Sequence, residues 1–239
     1  MKAFSITDIG MQRKVNQDYV YCSEAAVGSL PNLYIVADGM GGHKAGDYAS
    51  RCCVESMIRS VTSEVLKSPV SILEHAIQNA NAYVLEQSKT SKEYEGMGTT
   101  VVAATIVDNI LHVGNIGDSR LYLIRDKIEQ ITEDHSLVET MVRTGELMPE
   151  DARFHPNKNI ITRALGTNKE VKADFFEVKL EKADTILLCS DGLSNMVEDE
   201  EIERIVKQMD NIKETSETLV DLANKNGGAD NIAIVMVRI

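Results

Sequence analysis

The sequence lacks the residue spacings from which zinc, redox and histidine-metal sites are usually read. Its four cysteines, at 22, 52, 53 and 189, include no C-x-x-C pair, which argues against a zinc site and a disulfide framework. Cys53 falls on the apolar stripe of a helix and Cys189 in an apolar strand, so both read as small core residues. The five histidines, at 43, 75, 112, 135 and 155, show no H-x-x-x-H spacing, and a histidine-built transition-metal centre is not expected. Basic residues are the minority, 25 against 37 acidic, for a net charge of −12. Nucleic acid and anionic membrane are poor partners for such a chain. No apolar run approaches a membrane-spanning helix, and MKAFSITDIG has no apolar core of the signal-peptide kind. Internal repeats and low-complexity linkers are also missing. A cytoplasmic protein with one domain over residues 1–239 is expected. At 43% hydrophobic and 26% charged, the chain is ordinary for a soluble globular protein and can bury a sizeable core.

Periodicity gives the organisation. Residues 3–7 and 32–37 read as strands. A helical pattern from 44 to 62 puts Cys53, Val54, Met57, Ile58 and Val61 on one face, with Arg51, Glu55 and Arg59 opposite. A second helix starts at Pro69, a good first-turn residue, and buries Leu73, Ala76, Ile77, Ala80 and Val84. His75 points away from that stripe. The period then changes to that of strands at 99–107, 110–117, 119–125 and 127–132, with tight turns at Asp108-Asn109 and Asp126. Short consecutive strands of this kind read as an antiparallel meander. Residues 133–170 are irregular, with one helix candidate. Strands follow at 173–179 and 184–190, helices near 198–208 and 212–225, and a closing strand, IAIVMVRI. Antiparallel strands with helices inserted in pairs make the class α+β.

Residues 35–46 read IVADGMGGHKAG. A glycine-rich turn between strand and helix lets backbone approach something closely. A dinucleotide loop would need glycine where Lys44 stands, and a nucleotide P-loop would need Lys and Ser/Thr where Asp47 and Tyr48 stand. Asp-Gly is also a common turn dipeptide. Yet other aspartates share the setting of Asp38. Asp191 follows TILLCS, Asp118 follows HVGNIG, Asp230 lies in NGGAD before the last strand, and Asp8 and Asp18 flank the exit of the first. Aspartates at strand ends often serve only as turn formers or caps. If these converge, their all-oxygen donors suit Mg²⁺ or Mn²⁺. Their spread from 18 to 230 does not suit a local calcium loop and fits an enzyme site better.

Seven stretches carry a resemblance. TDIGMQRKVNQD (7–18), VADGMGGHKAGDYAS (36–50), GMGTTVVAA (96–104), GNIGDSRLYLIR (114–125), ITRALG (161–166), LLCSDGL (187–193) and GGADNIAIV (227–235) resemble, in order and over essentially the whole chain, the type 2C metal-dependent protein Ser/Thr phosphatases in their compact bacterial form. The resemblance implies a sandwich of two antiparallel β-sheets flanked by pairs of α-helices. It implies hydrolysis of phosphoserine and phosphothreonine in phosphoproteins, opposing a bacterial Ser/Thr kinase, by a monomer. It implies Mn²⁺ or Mg²⁺ as cofactor, with two tight sites and a weaker third. Asp38 would bridge two ions and Gly39 would offer its carbonyl to one. Asp191 and Asp230 would complete the first ion's ligands, Asp18 would hold waters on the second, and Asp118 with Asp191 would bind the third. Arg13 would grip the phosphate with its planar fork. A water shared by two metals about 3.5–4 Å apart would attack phosphorus without a covalent phosphoenzyme.

The sequence departs from the family at two places. Gln17 stands where many members have Glu, so Asp18 is the better ligand. Met40 stands where many eukaryotic members have the histidine thought to protonate the leaving group, and His43, three residues on, could substitute for it or simply cap the helix. Residues 133–165 correspond to a flap that varies in position, expected here to be mobile and to help select protein substrates. A cysteine phosphatase is rejected, since Cys189 lies in an apolar strand. A non-catalytic docking protein is disfavoured by the presence of Asp38, Asp191 and Asp230. A hydrolase of small phosphate esters stays open.

Overall fold

The computed structural model describes residues 1–41 and 45–239. Two antiparallel sheets face one another. One has the strand order β1 (Lys2–Asp8), β11 (Ile232–Arg238), β10 (Thr185–Cys189), β7 (Arg120–Ile124) and β8 (Ile128–Gln130). The other runs β2 (Asp18–Ser23), β3 (Leu33–Met40), β5 (Val101–Val107), β6 (Ile110–Ile116) and β9 (Asp174–Lys179), with the short β4 (Gly98–Thr99) pairing the end of β3.

The inner strands β3, β5, β7, β10 and β11 are buried on both faces, so they read as continuous apolar runs and not as alternations. In β11, Ala233, Val235 and Val237 enter the layer between the sheets, where they meet Tyr34, Val36, Val102 and Val113. Ile232, Ile234 and Met236 face outward under α6 (Asp199–Gln208) and α7 (Ile212–Lys225). On the other side, α1 (Ala45–Ser63) and α2 (Pro69–Gln87) cover Leu33, Ile35, Ala37 and Val101. Burying that much apolar surface in three layers is the main force holding the fold. Cys53 and Cys189 are fully buried, and burial pushes both thiols up. His75 is exposed.

Three features differ from the sequence reading. Residues 18–23, not read as a strand, form β2, an edge strand paired along β3 from Asp18↔Asp38 to Ser23↔Leu33. The four-strand meander is two hairpins in different sheets. The chain leaves β6, crosses at Gly117–Ser119 and enters β7 in the opposite sheet. Gly117 turns with φ +105°, and a Cβ there would lie 2.6 Å from Thr100. Residues 133–170 carry two helices, α3 (Leu137–Thr144) and α4 (Pro149–Ala152), where one was expected, and a further short helix, α5 (Asp191–Ser194), follows β10. Ser136 caps α3 by accepting from Glu139 N, and Gly145 ends it in the left-handed conformation.

Candidate metal centre

The topology carries the strand-end aspartates to one end of the sandwich. Asp38 lies near the end of β3 and Asp18 begins β2 directly opposite it. In the other sheet Asp118 precedes β7, Asp191 follows β10 and Asp230 precedes β11. Those last strands are mutual neighbours, with Cys189 paired to both Arg120 and Ile234. A cleft of about 230 Å³ opens between the two groups, lined by Arg13, Asp38, Gly39, Asp118, Asp191 and Asp230. Met40 also lines it, and Asn159 and Ile161 bring the 133–165 segment to its rim.

Asp18 and Asp118 are only 6% and 7% exposed, and Asp38, Asp191 and Asp230 are half-buried. Burial first, and then the neighbouring carboxylates, push Asp38 well above the ordinary carboxylate range. Asp18 and Asp191 are raised by burial and by the charge of Asp230, with Ser190 opposing the shift at Asp18. Asp118 is raised by burial, Asp191 and Asp134. The cleft therefore gathers negative charge without enough counter-charge.

Arg13 is the cation among the described residues that lines this cleft, while Arg120 acts on Asp118 and Asp191 from beside it. Arg13 Nη2 donates to Asp230 Oδ2 across 2.6 Å while half of the side chain stays exposed. Asp18 Oδ1 and Asp191 Oδ1 are buried and accept no hydrogen bond from the described residues. Ionised carboxylates are acceptors only, so such oxygens call for a cation, and a hard divalent ion fits the all-oxygen set. Among the described residues no three carboxylate, imidazole or thiolate groups already form a closed cage; the aspartates ring a cleft and do not yet meet at a point.

Several residues not singled out from the sequence hold the site in shape. Ser190 Oγ donates to Asp18 Oδ2 at 2.6 Å and accepts from Ala233 N at 2.9 Å. Thr100 Oγ1 accepts from Asp38 N, and Thr99 Oγ1 donates to Asp38 O. Asn231 is buried. Its Oδ1 accepts from Gln17 N, and its Nδ2 donates to Ile9 O and Val15 O, which pins the loop that presents Arg13. The sequence signal for all four was their place inside the quoted motifs, but their partners lie far away along the chain. Gln17 contributes through its backbone, where its carbonyl accepts from Gly39 N and Ser50 Oγ.

The glycine at 39 answers to a tighter constraint than open room for an ion. A Cβ there would lie 2.0 Å from Gly46 O and 2.8 Å from Gln17 O, so the first turn of α1 and the chain entering β2 both press on it. His43, the candidate proton donor, lies outside the described residues.

The protein phosphatase 2C family profile matches residues 11–226. The chain belongs to the protein phosphatase 2C family. By that membership it is a protein serine/threonine phosphatase, in a family whose general chemistry is metal-dependent dephosphorylation. It is similar to "Protein phosphatase PhpP" of Streptococcus pneumoniae, 42% identical over 248 residues that cover 99% of this chain and 97% of that one. It is also 42% identical to "Serine/threonine phosphatase stp" of Listeria monocytogenes over 86% of this chain and 83% of that one. Among solved structures, Stp1 of Staphylococcus aureus superposes with a TM-score of 0.93 at 36% identity, covering 100% and 94% of the two chains. The catalytic domain of PstP, in complex with two manganese ions, superposes at 0.86 with 35% identity, covering 98% and 96%. These phosphatases share the two-sheet α+β architecture seen here. Among the described residues no helix is long and apolar enough to cross a membrane.

Proposed function

We propose that this 2C phosphatase removes phosphate from serine and threonine side chains of proteins with divalent ions held at the carboxylate cleft. The observation that carries this reading is the gathering of Asp38, Asp118, Asp191 and Asp230 around one cleft, with Asp18 paired opposite Asp38 and with buried oxygens on Asp18 and Asp191 that no group among the described residues satisfies. In this reading Asp38, the Gly39 carbonyl, Asp191 and Asp230 would hold one ion, Asp38 and Asp18 would serve a second, and Asp118 with Asp191 would hold a third more weakly, with fewer protein ligands to offer it. Mn²⁺ and Mg²⁺ both suit these donors.

When bound, the ions supply an acidified water and positive charge against the phosphoryl oxygens. The chain's own groups bind and orient the substrate. In this reading Arg13, tethered to Asp230 at the rim, turns its planar fork onto two phosphate oxygens. Thr99 and Thr100 hold the Asp38 backbone and Ser190 holds the Asp18 carboxylate in place before substrate arrives. His43 is a proton-donor candidate on sequence grounds alone.

The 133–165 segment is read as a flap of the single catalytic domain that helps choose protein substrates. Met148, Phe154 and Ile160 stand exposed on it, and Asn159 and Ile161 reach the cleft. The substrates are phosphoproteins, a Ser/Thr protein kinase among them, met by a monomer in the cytoplasm. The test is purified protein with a phosphothreonine peptide and with a small aryl phosphate. EDTA should abolish both activities and Mn²⁺ should restore them. A strong preference for the aryl phosphate would favour the small-ester hydrolase, and activity in EDTA would remove the metal from the mechanism.

A further inference from the structure

The outgoing and returning ends of the 133–165 segment meet at a buried imidazole. His135 is 3% exposed. Its Nδ1 accepts the Gly117 N–H at 3.1 Å, and its Nε2 lies 2.9 Å from Asp174 Oδ2. A backbone amide can only donate, so Nδ1 is bare and Nε2 carries the hydrogen given to Asp174. Burial outweighs the pull of Asp174 and keeps the ring neutral.

The backbone repeats the link. His135 N donates to Gly117 O at 2.9 Å, and His135 O accepts from Thr162 N at 2.7 Å. Ser136 then bridges Ile161, and Leu137 N donates to Ile160 O. Asp174, the far partner of the ring, is also gripped by Arg163 Nη1 at 3.0 Å. One side of the imidazole thus holds the crossover turn next to Asp118. The other side, through Asp174 and Arg163, holds the end where the segment returns. His135 does not line the carboxylate cleft, so nothing in the reaction described above uses it.

We propose that His135 is a positioning residue that holds the Gly117–Asp118 turn and the returning end of the 133–165 segment as one unit. Its consequence for metal binding rests on the reading of Asp118 as a ligand; the mechanical link does not. Displacing the segment then displaces the Asp118 carboxylate, and an ion at Asp118 steadies the segment.

Two part-replacements of the ring separate its sides. His135→Asn keeps an acceptor near the position of Nδ1 and loses the arm to Asp174. His135→Gln keeps a donor near the position of Nε2 and loses the acceptor facing Gly117. Hydrogen–deuterium exchange on the whole protein reads the link directly, and Mn²⁺ calorimetry reads its effect on the cleft. In His135→Gln the Gly117 amide should exchange faster, and the weakest Mn²⁺ site should lose about 10–100-fold in affinity, as for other residues that orient metal ligands. In His135→Asn the turn should stay protected while residues 160–163 exchange faster. Asp174→Ala, a change at a half-exposed strand residue, should reproduce the His135→Asn pattern even if a ring variant folds poorly. Identical exchange in the Asn and Gln variants, or unchanged exchange at 160–163 in Asp174→Ala, would overturn the proposal. Asp118→Ala, run alongside, keeps the two readings apart. If it leaves Mn²⁺ binding intact, Asp118 is not a ligand, and the exchange at Gly117 still decides on His135.

Discussion

Ser190 Oγ and Asp18 Oδ2 are 2.6 Å apart, although 172 residues of chain separate them. Asp18 begins the edge strand of one sheet and Ser190 directly follows β10 of the other. The same hydroxyl accepts from Ala233 N. One buried side chain therefore joins the two halves of the carboxylate cleft.

Ser190→Ala should remove that joint and leave Asp18 with a second unsatisfied oxygen. Metal-free protein should lose about 1–3 kcal/mol of stability, read by urea unfolding. Mn²⁺ affinity should fall with it in calorimetry. Unchanged stability and unchanged affinity would reduce the contact to an incidental one.

Asp38→Asn should abolish hydrolysis yet stabilise the metal-free fold. Asp38 is pushed well above the ordinary carboxylate range by burial and by Asp18, Asp191, Asp118 and Asp230, so neutralising it relieves strain. Thermal unfolding in EDTA should shift upward by about 2–4 °C for each kcal/mol relieved. A lower Tm together with lost activity would mean that the variant had simply damaged the fold.

Arg13→Ala should cost about 10–100-fold in kcat/KM, the worth of a charge-assisted hydrogen bond. The loss should fall on KM and on competition by free phosphate, with Mn²⁺ affinity little changed. Arg13→Lys should rescue poorly, because a point charge cannot replace a two-pronged donor. Wild-type kinetics in the alanine variant would leave Arg13 as a partner of Asp230 and nothing more.

Far from the cleft, Arg125 grips the buried Asp184 with two bonds of 2.8 and 2.7 Å. Burial alone would raise Asp184, but the Arg125 hydrogen bonds, the Glu181 amide and the guanidinium charge bring its pKa below the ordinary value. A carboxyl lowered on folding stabilises above its unfolded pKa, near 3.8, and loses that contribution as pH falls through the folded value. Asp184→Asn should therefore lower stability at neutral pH, by about 1–3 kcal/mol, with the gap to wild type narrowing below pH ~4. Parallel stability curves down to acid pH would show that the ion pair is not responsible.

Much of the site was legible because each carboxylate sits in a local signature. Asp38 with its glycines, Asp191 before Gly192 and Asp230 in GGADN can each be read within a few residues. What holds them was not legible. Ser190, Asn231 and Thr100 act on partners 172, 214 and 62 residues away, and no window of sequence contains both ends. The meander reading failed for a related reason. A tight turn at Gly117 marks the end of a strand but carries no sign that the next strand joins the other sheet. The edge strand β2 was missed because DYVYCS is short and only half buried, so it has no firm apolar run to announce it. Residues 133–165 gave few periodic cues because they bury little, Val138 being the buried side chain of α3.

The division of the carboxylates between two sheets turns the side-chain layer between them into a calliper. Asp18 and Asp38 ride on one jaw, and Asp118, Asp191 and Asp230 on the other. The jaw spacing is set by Tyr34, Val36, Val102 and Val113 against Leu188, Val235 and Val237. Packed interiors transmit volume changes and do not absorb them. A methyl group added or removed in that layer, out of reach of substrate, would reset the gap into which a cation must fit. On the proposed reading of the cleft, the ionic radius it accepts would be set partly by valines and leucines that never touch the ion.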